Sequence, residues 1–170
     1  MPSDYLQHSE NMPKCEVCRL APSDDSVQGL AVCSTDCLAA LQMCVPGVRI
    51  ANISALVLSN TNYRTVWDVS GQSQSVLMSL LPSEDIPNEV HPWTTQEIVV
   101  YAGQIEVTIN NTVSLLLQST GSNQITIHAG FHHAVKPVGT EIVKLYVRYS
   151  PPEHAPGLVQ PRQSDGNPRE

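Results

Sequence analysis

From residue 48 onward the chain is a succession of short apolar runs separated by polar punctuation. "VRIANISALVL", "YRTVWDVS", "SQSVLMSLL", "EIVVYAG", "QIEVTIN", "TVSLLLQST", "NQITIHAG" and "EIVKLYVRYS" are rich in Val, Ile, Thr and Tyr. Between them stand "GQ" at 71–72, "PSEDIPN" at 82–88, "NN", "TGSN" and "PVGT". Alternation is clearest in "QIEVTI", which puts Ile105, Val107 and Ile109 on one face and Gln104, Glu106 and Thr108 on the other. About eight short strands spaced by turns predict an all-β sandwich or barrel over residues 48–150. No solenoid period and no heptad seam competes with that reading. The Pro-rich, polar stretch over 151–170 predicts an extended C-terminal tail.

The front of the chain follows another pattern. Residues 1–12 read as a flexible N-terminus and residues 13–46 as a cysteine-bearing segment. All five cysteines lie here, as Cys15-x2-Cys18, Cys33-x3-Cys37 and then Cys44. "CSTDCLAALQMC" reads as a helix start, which brings residues four apart onto one face. The first pair suits a tight knuckle with both thiolates on one ion, and Cys33 and Cys37 complete a tetrahedron around one Zn2+. The segment resembles treble-clef zinc knuckles of the MYND and FCS type. That resemblance implies a surface for docking a protein partner. Cys44 is a spare thiol or a substitute ligand, and the alternative is that some of the five are buried free thiols.

Composition narrows the function classes. Hydrophobic residues make up 41% but charged residues only 15%, so Ser, Thr, Asn and Gln must supply the polar surface, which suits β-structure. A net charge of -7 without a Lys/Arg cluster argues against nucleic acid as a partner. No apolar stretch reaches the ~20 residues of a membrane span, and the N-terminus lacks the basic start and apolar block of a secretory signal. The expectation is a soluble protein, cytoplasmic or otherwise intracellular, in which thiols stay reduced.

The segment from about 62 to 157 resembles the cupins, jelly-roll barrels of the double-stranded β-helix type. Their first motif, G-x5-H-x-H-x3–4-E-x6-G, aligns through Gly103 and places Glu89 at the first histidine, His91 at the second and Gln96 at the acidic position. Their second motif fits "HAGFHH" through Gly130 and His133. Ser83 and Pro137 are further departures, at the first Gly and the terminal Asn. The phrases "SVLMSLLPSEDIPNEVHPWTTQ" and "EIVKLYVRYSPPEHAPG" look like a subgroup of stand-alone cupins described as similar to phosphomannose isomerase. The resemblance implies a divalent barrel metal (Zn, Fe, Mn or Ni) held by Glu89, His91, Gln96 and His133, and pairing of barrels into a homodimer.

The residues bear on this independently. Two positions apart on a strand, Glu89 and His91 project to one face, and the "PWTT" turn returns the chain with Gln96 alongside. One carboxylate, two imidazoles and an amide oxygen suit a divalent ion and leave positions free for substrate or water. Alternation turns Glu97 and His132 away from Gln96 and His133. His128 is a candidate cap of the barrel mouth, and Trp93 and Phe131 are either an aromatic rim for a ligand or core packing. His154 is a packing or surface residue, while Glu89 as a solvated turn residue and His91 as a rim histidine are the bland alternatives.

Three functions fit: a metal-dependent, isomerase-like protein acting on or binding a small polar, sugar-like molecule; an iron, manganese or nickel dioxygenase; or a non-enzymatic scaffold that docks a partner through the knuckle. Fold alone does not choose among them.

Overall fold

The structure, a computed structural model, describes residues 51–166. The zinc-knuckle assignment of Cys15, Cys18, Cys33 and Cys37, with Cys44, lies outside the described residues.

The barrel body is two antiparallel sheets. The first has the order β10-β1-β2-β9-β4-β7, formed by Val159–Gln160, Arg64–Val69, Gln74–Leu80, Val143–Ser150, Thr95–Ala102 and Gln124–Ile127. The second has the order β3-β8-β5-β6, formed by Ile86–Glu89, His133–Pro137, Gln104–Ile109 and Val113–Gln118. The inner faces carry the apolar residues that the alternation predicts. Val76, Val147 and Ile98 lie side by side across three neighbouring strands, and Ile105, Val107 and Val135 face them from the other sheet. All six are fully buried. Replacing such a residue by alanine costs roughly 2–5 kcal/mol, so this core fixes the barrel that carries the site.

Two local expectations are corrected. Within "VRIANISALVL", Ile53–Ser59 is a helix, α1, not a strand. Val57 is its fully buried residue, Ile53 and Leu56 are half-buried, and Asn60 just beyond the helix is buried. That spacing is helical, and good helix formers (Ala55, Leu56, Leu58) fill the gaps. The second correction is β3, which lies inside the stretch read as turn punctuation. Pro87 is tolerated there because β3 is an edge strand.

Residues 151–166 do not extend into solvent. β10 pairs with β1, and Pro161 and Leu158 carbonyls accept from the amides of Tyr63 and Val66. Buried Gln74 clamps the start of this segment. Its amide nitrogen donates to the His154 carbonyl at 2.7 Å, and its oxygen accepts from the His154 N–H at 3.0 Å. The segment thereby covers the β1 edge, which offsets the ordering cost of a chain with few apolar residues.

Tyr63, 2% exposed, donates its hydroxyl to the Asp85 carbonyl at 2.7 Å. Burial pushes its pKa up to about 12, with Arg64 opposing and Glu89, Asp85 and Glu84 adding to the rise. A folded-state pKa above the unfolded value near 10 means a contribution that is complete below pH 10 and lost as pH rises toward 12. Tyr63 should therefore contribute about 2–3 kcal/mol to the loss of stability across that window, to which buried Tyr149 adds, so the decline is shallower in Tyr63→Phe. Equal slopes in the two proteins would exclude Tyr63 as the source.

Candidate metal centre

Antiparallel pairing of β3 with β8 sets Glu89 directly opposite His133, so both side chains leave the second sheet on the same face. His91 arrives by another route than the strand spacing suggested. β3 ends at Glu89, and His91 lies in the loop before β4. Its carbonyl accepts from the Gly130 N–H at 2.9 Å, which ties that loop to the one preceding β8. Gly130 sits at φ +85°, a left-handed conformation that a side chain would strain.

The three groups converge. Oε1 of Glu89 is 3.2 Å from Nε2 of His91 and 3.4 Å from Nε2 of His133. One ligand atom from each of Glu89, His91 and His133 lies within 4.8 Å of the others. Two atoms that ligate one ion at ~2.1 Å can be up to ~4.2 Å apart, so the two measured separations already suit a shared ion. The histidine side chains are buried, 9% and 1% exposed, whereas Glu89 is 28% exposed and marks the wetter side.

Hydrogen bonding fixes which nitrogen of His133 is available. Nδ1 lies 3.0 Å from the Phe131 carbonyl, which can only accept, so Nδ1 carries the proton. The Nε2 lone pair is left facing Glu89, buried and without a hydrogen-bond partner among the described residues. Burial alone would raise the Glu89 pKa, but imidazole N–H groups and charge outweigh it and hold the carboxyl down; with His133 Nε2 a bare lone pair, the His91 contact at 3.2 Å supplies this effect. For His91, burial opposes protonation, yet its hydrogen bond to Glu89 and the charges of Glu89 and Glu153 raise its pKa. The centre thus presents an ionised carboxylate and a preset imidazole lone pair, a donor set that fits a divalent cation.

Gln96 enters from the other sheet and is fully buried on β4. Its Nε2 donates to the Tyr149 hydroxyl at 2.9 Å, while its Oε1 has no hydrogen-bond partner among the described residues. Tyr149, the cross-strand neighbour of Gln96, meets the His91 ring edge-on at 5.6 Å between centroids. Glu97 is half-buried beside it, and His132 is exposed, its backbone amide bound to Asn110. Trp93 is 85% exposed, which rules out core packing; Phe131 is 46% exposed and His128 exposed.

Sequence reasoning missed Glu153. Its Oε1 lies 3.7 Å from Nδ1 of His91, on the ring side away from Glu89, and its Oε2 accepts from Thr94 at 3.0 Å. A carboxylate behind a metal-ligating imidazole orients the ring and raises its basicity. The signal was present in "PPEH", but reading that stretch as a tail hid it. Glu153→Gln should lower barrel metal affinity roughly 10–100-fold while leaving the thermal transition of the metal-free protein within a few degrees, measured by competition with a chelating dye. Unchanged affinity would reduce Glu153 to a surface group.

Protein L612 of Acanthamoeba polyphaga mimivirus is 39% identical over 124 residues, spanning 71% of this chain and 77% of L612. The crystal structure of BH2720 from Bacillus halodurans superposes with a TM-score of 0.65 at 30% identity, over 68% of this chain and 90% of BH2720. The chain belongs to the family of L612 and BH2720. Its fold is the cupin double-stranded β-helix. A double-stranded β-helix protein from Klebsiella pneumoniae shares that fold with a TM-score of 0.52 at 19% identity, over 68% of this chain and 94% of the other. No protein-family model matches the chain. Among its described residues, no helix is long and apolar enough to cross a membrane.

Proposed function

We propose that this cupin holds one divalent metal through Glu89, His91 and His133, with the Gln96 amide oxygen as fourth donor. There it binds or acts on a small molecule with a polar head, in isomerase-like chemistry. The observation that carries this reading is a pair of buried polar atoms that have no hydrogen-bond partner among the described residues, Nε2 of His133 and Oε1 of Gln96, in a barrel that also holds an ionised carboxylate. A fold does not leave such atoms unsatisfied without cost, and a cation satisfies both.

The metal would supply Lewis-acid polarisation of a substrate carbonyl or hydroxyl. The chain's own residues prepare the site. Phe131 holds the His133 tautomer, Glu153 orients His91, and Tyr149 fixes the amide of Gln96. One carboxylate among neutral donors leaves a divalent centre with a net single positive charge, which favours an oxygen-bearing or anionic head. Elemental analysis of the purified chain tests the proposal: zinc in the barrel supports isomerase-like chemistry, and iron supports the alternative of oxygen chemistry. Absence of any metal that depends on His91 and His133 would leave only the scaffold function.

A further inference from the structure

The first sheet ends at β7 and the second at β6, and between these edges the barrel interior opens to solvent. Register shows that the opening is inner face, not outer surface. Leu115 is paired with the fully buried Val107, and Ile125 with the fully buried Ile98. Directly opposite residues share a face, so Leu115 and Ile125 point inward. Yet Leu115 is 41% exposed and Ile125 only partly buried, core positions that no described residue covers fully. They line a cavity of about 270 Å³ with Ile109, Ile127 and Phe131. Thr126 and His128 complete its wall, and no Lys, Arg, Asp or Glu contributes.

The same register connects this cavity to the candidate metal centre. Ile109 is the cross-strand neighbour of His133, and Ile127 that of Gln96. The Phe131 carbonyl that fixes the His133 tautomer belongs to a residue of the cavity wall. An apolar chamber thus abuts His133 and Gln96, each with a buried polar atom that has no hydrogen-bond partner among the described residues.

We infer that the ligand of this site is amphiphilic, with an oxygen-bearing head at the metal and an apolar body, a short alkyl chain or single ring, lodged between β6 and β7. This deepens the metal-site proposal and rests on it for the head group. Size sets the scale of the lodged part: a dry cavity of about 150 Å³ takes benzene, so about 270 Å³ takes a ring with substituents. Chemistry sets the class. A sugar would place hydroxyl groups against five apolar side chains and leave them unbonded, which is unfavourable. A phosphosugar would in addition lack a cation in the cavity wall.

The test uses calorimetric titration of the full chain, zinc-loaded and metal-free, with acetate, butanoate, hexanoate, benzoate and mannose. Affinity should rise about fourfold per added methylene along the carboxylates and be weakest for mannose. Leu115→Asp should flatten the series without altering zinc content. Its outward-facing neighbour, in Leu116→Asp, should leave the series unchanged and so controls for damage to β6. A flat series, no detectable binding, a preference for mannose, or equal effects of the two variants would overturn the inference. If the barrel takes up neither zinc nor iron, the metal proposal fails by itself. The metal-free titration then decides the cavity separately: a chain-length dependence abolished by Leu115→Asp supports the apolar chamber, and its absence removes it.

Discussion

Replacing His91 and His133 together by alanine is expected to abolish one equivalent of bound divalent metal while the barrel still folds. The two imidazoles provide two of the three closely grouped ligand atoms, and Glu89 alone cannot retain an ion against water. The difference in metal content between the native chain and this variant reads the barrel site alone, whatever the cysteines bind. Stability reports the same event. A metal present at about 100 times its Kd stabilises the native state by about 2.7 kcal/mol, worth roughly 10 °C in a domain of this size. On chelation the native chain should therefore lose roughly that much more than the variant. The variant also loses the His133 hydrogen bond to Phe131, so its metal-free form should be less stable by about 1–2 kcal/mol. Equal metal content in the two proteins would sink the proposed centre.

Why the sequence disclosed some of this and concealed the rest follows from the range of each signal. Strand alternation is local, so "QIEVTI" and the runs around Val76, Ile98 and Val147 could be assigned to an inner face from their residue pattern alone. Glu89, His91 and Gln96 sit within eight positions of one another, and their motif spacing survives in the chain. His133 had to be joined to them by resemblance, because only the β3–β8 register brings it opposite Glu89. Helix α1 escaped notice because a short β-branched run carries both periods. Glu153 escaped for a different reason: its role depends on the tail folding back through the Gln74 clamp, a contact between residues 80 positions apart. The interior opening was equally hidden, since Leu115 reads as a routine core position until its incomplete cover is seen. Long-range pairing, rather than residue chemistry, is what the sequence withheld.

One departure from the common cupin pattern, glutamine at the acidic position, can be weighed through Gln96→Glu. The native amide is fully buried with its Nε2 satisfied by Tyr149 and its Oε1 unsatisfied. Glutamate keeps the shape, and the Tyr149 hydroxyl can turn to donate to it, so geometry is preserved while charge changes. In the metal-free protein the new carboxyl is taken out of water in a barrel that already holds an ionised carboxylate, Glu89. Its folded-state pKa therefore rises above the unfolded ~4.3, and the resulting penalty is absent below that pH and grows as pH increases. At pH 7 the cost should be about 2–4 kcal/mol, vanishing near pH 4. With metal bound the sign reverses, because a second carboxylate brings the centre from one positive charge to none, and metal affinity should rise tenfold or more. Loss of stability without metal, combined with tighter metal binding, would place residue 96 at the ion and show that the native glutamine tunes a working site toward weaker, more exchangeable binding. A stability loss with unchanged metal affinity would instead leave Gln96 as the group that holds Tyr149 against His91, with the ion resting on three ligands.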